Sequence, residues 1–150
     1  MKKLFFLSFA LYPMLLKAQE PVKDNNAIIV RGVVFSKVKE TLLDAGIFIG
    51  QQNAEDGTII TNRKGYCECP NKDFYQLIYY IRVKDSVATI RGKFSVEVQL
   101  FSSNKHTEDK DDFSDVVYWK AKHSAYHYLF GIMMNFAKSL KGNTIEYKTL

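Results

Sequence analysis

Histidine, cysteine, proline and tryptophan are all scarce in this 150-residue chain, which has three His, two Cys, three Pro and one Trp. All three histidines follow residue 100. The longer preceding part therefore has no imidazole for acid–base or nucleophilic work near neutral pH. A serine elbow and a Gly-rich phosphate loop are also missing, which removes the usual signatures of acyl transfer and nucleotide chemistry. Asp and Glu residues fall mainly in turns and in the polar stretch "SSNKHTEDKDDFSD". No carboxylate pair can be assigned to general acid and base roles, so an enzyme is not expected and no cofactor is implied.

Long apolar runs are equally rare. The opening "MKK" followed by "LFFLSFALYPMLL" and "LKAQE" has the basic, apolar and small-residue order of a secretory leader. Its apolar core is shorter than the roughly 18 to 20 residues a bilayer span needs, and Pro13 interrupts it. Residues 1–18 read as a signal peptide cut after Ala18, with Gln19 as the new N-terminus and no cysteine at the cut for lipid attachment. The expected location is therefore the exported compartment, periplasmic or outer-membrane associated. Losing Lys2, Lys3 and Lys17 while every acid stays lowers the formal charge from +5 to +2. The remaining Lys and Arg are interleaved with Asp and Glu, so nucleic acid is not an expected partner.

What the chain does contain is strand signal. "AIIVRGVVF", "AGIFIG" and "GTIITN" are short and β-branched, "YCEC" stops at Pro70, and "FYQLIYYIRV" is aromatic and β-branched throughout. In "KFSVEVQL", Phe94, Val96, Val98 and Leu100 alternate with Ser95, Glu97 and Gln99, the period of a half-buried antiparallel strand. Strands at this spacing read as a β-sandwich. No helical periodicity is read before residue 101.

The succession "VRGVV", "LLDAGIFI", "GTIITNRKGYCECP", "YQLIYYI" and "FSVEVQL" resembles the carboxypeptidase regulatory-like domain of exported Bacteroidetes-type proteins, with Val30, Gly32, Val34, Leu43, Ala45, Gly57, Thr61 and Gly65 on its pattern. The resemblance spans residues 27–100 and implies a transthyretin-like, mainly β sandwich. It makes "SKVKETLLD" the hairpin connection between the first two strands and places Gly46 and Gly50 in a strand. It also implies a core shared by Val30, Val34, Ala45, Ile47, Cys67, Cys69, Leu77, Phe94, Val96 and Val98. A charged linker is expected over 101–115 and a strand–helix–strand appendage over 116–150.

Four features could carry chemistry. Cys67 and Cys69 share one face of a strand, where small buried thiols are the first reading, and a soft-metal or redox pair or a strained or intermolecular disulfide the alternatives. His123 and His127 lie one helical turn apart, but no carboxylate follows to complete a metal set, so surface or interface histidines are expected. Tyr75, Tyr79, Tyr80, Tyr118 and Trp119 suit core cover, with glycan stacking as the alternative. The segment Ser124 to Leu140 reads as a helix with Leu129, Ile132, Met133, Phe136 and Leu140 on one face. Tyr126, Phe130, Met134 and Ala137 extend the apolar surface further than one contact needs. Tyr126, Phe130 and Met134 are therefore the candidate partner-binding residues, toward an envelope protein or, alternatively, a membrane surface. The sequence thus points to a non-catalytic envelope module for protein–protein interaction or assembly, with a glycan or small-ligand binding module of an outer-membrane uptake system as the alternative.

Overall fold

The computed structural model describes residues 19–68, 73–97 and 113–150. The leader, Cys69, Val98 and most of the expected linker lie outside them. In chain order the elements are β1 (Ala27–Arg31), α1 (Phe35–Asp44), β2 (Ile49–Asn53), β3 (Thr58–Thr61), β4 (Lys64–Glu68), β5 (Asp73–Lys84), β6 (Val87–Glu97), β7 (Ser114–Asp115), α2 (Ala125–Ser139) and β8 (Thr144–Lys148). Every strand pairing is antiparallel. The protein is mainly β, as its strand signals imply.

Among the described residues all eight strands join one sheet, with the path β2-β3-β5-β6-β1-β8; β4 continues alongside β5, and β7 alongside β6. The long β5–β6 hairpin is its spine. It turns through Asp85 and Ser86, both at positive φ, the two-residue geometry whose twist matches that of the flanking strands. Where the sequence suggested two facing sheets, the layer opposite this one is helical. Ile28 and Val30 of β1, Leu77, Tyr79 and Ile81 of β5, and Ala88, Ile90 and Phe94 of β6 form one cluster with Val38 and Leu42 of α1 and Leu129, Phe130, Met133 and Phe136 of α2.

The first correction is α1, which occupies the segment read as a hairpin connection. Its buried side chains are Val38, Thr41 and Leu42, at helical spacing. Its end carries a full stop signal: Gly46 at φ +65° donates to Leu43 O, and Ile47 donates to Leu42 O. That pair of bonds is the Schellman arrangement, and buried Ile47 and Leu42 provide its apolar contact. Gly46 therefore ends a helix, while Gly50 does lie in a strand. Val34, at the N-cap of α1, is exposed, as is Ala45 at its C-cap, so neither joins the core.

The second correction concerns the C-terminal third. Residues 116–150 are built into the same core, because α2 lies on the sheet and β8 pairs with β1 from Ala27↔Lys148 to Arg31↔Thr144. Gly92 lets α2 approach: a Cβ there would stand 2.6 Å from Met133 Sδ and 3.1 Å from Leu77 Cδ1. Of the remaining core expectations, Val30, Ile47, Leu77 and Phe94 are buried, and Cys67 is half-buried. Val96 is 51% exposed. It lies on the same face as Phe94, but near the end of its strand, so the alternation is correct and the cover stops short.

Candidate functional site

Antiparallel pairing of β5 and β6 dictates which side chains leave the core. Leu77, Tyr79, Ile81, Ala88, Ile90 and Phe94 point toward the helices, so by the two-residue period the intervening residues point the other way. The register sets Ile78 opposite Lys93, Tyr80 opposite Arg91, Arg82 opposite Thr89 and Lys84 opposite Val87. Ile60 of β3 extends the Tyr80 row, and Ile29 of β1 the Thr89 row. No described helix or strand covers the centre of this face, although Ile29 on it is buried and the C-terminal Leu150 lines its groove. That groove, of about 530 Å³, is also lined by Thr58, Ile60, Tyr80, Arg82, Thr89 and Arg91.

The face is basic. Arg31, Arg82, Lys84, Arg91, Lys93 and Lys148 lie on it by register, while Glu146 and Asp115 are the acids among its described side chains. Glu146 is taken at 2.7 Å by Arg31 and approached at 3.9 Å by Lys148. The hydrogen bond from Arg31 holds its carboxyl below the usual carboxylate range, and Glu146 in turn raises the guanidinium. Both are open to water, so this pairing is screened and weak. Asp115 stands 3.9 Å from Arg91, and the Lys93 ammonium lies 5.9 Å from the Tyr80 ring centre. Arg82 and Lys84 have no partner among the described residues.

The candidates proposed from sequence sit elsewhere. Phe130 is wholly buried, edge-on to the Tyr118 ring and 6.1 Å from the Tyr147 ring. Met134 is half-buried, and Tyr126 is 36% exposed, its ring edge-on to Phe94. The three therefore form no continuous exposed strip, because the helix rotates Phe130 into the sheet. Ser124 caps α2 by accepting from His127 N at 3.1 Å. The His127 ring contacts Trp119 O through Nδ1 at 2.8 Å, while His123 is exposed. No group of three potential metal ligands occurs among the described residues. Tyr126 and Trp119 share a second groove of about 620 Å³ with Ser114, Asp115, Val117 and Ser124, and the Lys23 ammonium lies 4.5 Å from the Trp119 ring centre.

Tyr79 lies in the core with its hydroxyl 3.4 Å from that of Tyr66. Burial raises both phenols well above their ordinary range, so they are neutral structural groups and not bases. The Tyr128 hydroxyl donates to Cys67 O at 2.9 Å and ties α2 to β4. Sequence reasoning missed the basic face, although its signal is present: Arg82 and Lys84 before the turn, and Arg91 and Lys93 after it, are spaced two apart. That spacing puts each pair on one side of its strand.

No family model matches the chain, and no curated protein matches it.

Proposed function

We propose that the protein is a non-catalytic interaction module of the cell envelope that holds a protein partner against the open face of its sheet. The observation that carries this reading is the asymmetry of the sheet. One face is closed by two helices, while the other offers Ile60, Ile78 and Tyr80 among Arg82, Arg91 and Lys93. Apolar and aromatic surface supplies affinity at such contacts, and fixed charges supply orientation and association rate. The leader-like residues 1–18 support export to the periplasm or outer membrane.

The test compares partners captured by the full chain with those captured by a Tyr80→Ala/Arg91→Ala variant and by Asn135→Ala, which alters an exposed position on α2. A partner retained by Asn135→Ala and lost by the sheet variant, with the thermal transition unchanged, supports the reading. Equal capture by all three overturns it.

The groove at Trp119 and Tyr126 favours a second reading, a glycan site. Two partly exposed rings, the Asp115 carboxylate and the Ser114 hydroxyl match what a sugar ring needs for stacking and hydrogen bonding. Trp119→Ala would abolish binding on a glycan array under that reading and leave sheet-face capture intact.

A further inference from the structure

Resting on the reading of the open sheet face as the interface, we infer that its ligand is an extended acidic polypeptide segment that presents carboxylate and apolar side chains together on one face. Four directly opposed pairs run along the β5–β6 hairpin: Ile78·Lys93, Tyr80·Arg91, Arg82·Thr89 and Lys84·Val87. Each contains one cation and one uncharged residue. The cations also change strand midway, with Arg82 and Lys84 on β5 and Arg91 and Lys93 on β6.

Directly opposed side chains stand about 4.5 to 5.5 Å apart at Cβ, so every cation has an uncharged neighbour at side-chain distance. Four rows at two-residue steps cover roughly 20 Å, the reach of about six residues of extended chain. A ligand with charge alone, such as a polyphosphate or a sulfated glycan, would leave Ile78, Tyr80 and Val87 without a complement. A neutral sugar would leave the cations without one. A peptide with acidic and apolar side chains answers both.

Charge bookkeeping on the face points the same way. Glu146 is engaged by Arg31, and Asp115 reaches Arg91 at 3.9 Å. Arg82, Lys84 and Lys93 have no carboxylate partner among the described residues. Charges of one sign crowded on one face repel one another, and an acidic ligand relieves that repulsion. Arg82 adds a guanidinium fork suited to a carboxylate.

Fluorescence anisotropy with the full chain tests the inference. The probe is a short labelled peptide in which Asp or Glu and Leu or Val take turns at every second residue, so that acidic and apolar side chains alternate along one face. Its controls are the peptide with Lys replacing each acid, oligoglutamate, and heparin. The expected result is binding of the alternating peptide only, weakening as salt is raised. Arg82→Ala/Arg91→Ala should weaken it by about tenfold or more. Lys122→Ala/Lys138→Ala, which removes the same charge from α2 and the segment before it, should leave affinity unchanged. Thermal transitions of both double variants verify folding. No binding, equal binding of oligoglutamate or heparin, or an unchanged affinity in the arginine variant would overturn the inference. If the acidic peptide fails while sheet-face capture of a partner persists, the ligand chemistry is wrong and the interface stands. Failure of both removes the interface as well.

Discussion

Lys141 adopts φ +54° immediately after the C-cap of α2, and its N–H donates to Lys138 O. Helices commonly end in this left-handed conformation, which costs a lysine about 1 kcal/mol relative to glycine. Lys141→Gly should therefore stabilise the protein by roughly 0.5 to 1 kcal/mol in urea unfolding. Gly57 is the opposite case: at φ +67° a Cβ would meet Val83 O at 1.9 Å. Gly57→Ala should destabilise by roughly 2 kcal/mol or more, since backbone must move. Tyr79 and Tyr66 give a signed pH dependence. Their folded-state pKa values are raised above the ordinary value of 10.0, so their contribution is complete below pH 10.0 and falls once unfolded phenols ionise above it. Denaturation midpoints measured across the alkaline range should drop above pH 10.0. Tyr79→Phe should flatten that drop. The burial of one tyrosine and the exposure of its neighbour Tyr80 were legible only as alternation, because the sequence does not say which face will be covered.

At the scale of elements, α2 carries the clearest stability test. Phe130 is fully buried between sheet and helix, so Phe130→Ala should cost about 3 to 5 kcal/mol in equilibrium unfolding. Val96→Ala should cost less than about 0.5 kcal/mol, because the side chain is mostly in water. A destabilised Val96 variant with an unaffected Phe130 variant would contradict the packing described above. The existence of α2 was legible from its apolar excess and its Ser124 and Gly142 boundaries. That excess was read as a spare binding face, although it reflects a helix lying broadly on a sheet. The loss of α1 has a different physical reason. Ten residues with Val38, Thr41 and Leu42 inward give a short, weakly apolar stripe, and flanking β-branched runs outweighed it. The sequence "LLDAGI" nevertheless carried the Gly and apolar pair of a Schellman ending.

For the whole molecule, the consequence of a one-sided sheet is that stability and binding separate in space. Arg82→Ala/Arg91→Ala should leave the free energy of urea unfolding within about 0.5 kcal/mol of the parent, because the charges removed are outside the core. The same variant should lose binding of the alternating acidic peptide. Together these measurements distinguish an interaction face from a merely solvated one. The described elements also include no helix long and apolar enough to cross a membrane. The apolar surface of α2 is instead accommodated by β1, β6 and the side chains of β5.

Local order was determined by the sequence alone: strand positions in "AIIVR", "TIIT", "FYQLIYYIRV" and the end of β6 from Lys93, the inward alternation of Phe94, and the presence of α2. Each depends on neighbours a few residues apart, so periodicity and propensity suffice. Tertiary structure decided the rest. Strand alternation specifies two faces but not what lies on either, and an amphipathic helix specifies a buried stripe but not its receiver. Only the pairing of β8 with β1 and the docking of α1 and α2 on one side of the sheet closed one face. The β8–β1 pairing joins residues more than a hundred positions apart, and together these contacts left Tyr80, Arg82, Arg91 and Lys93 on the other face.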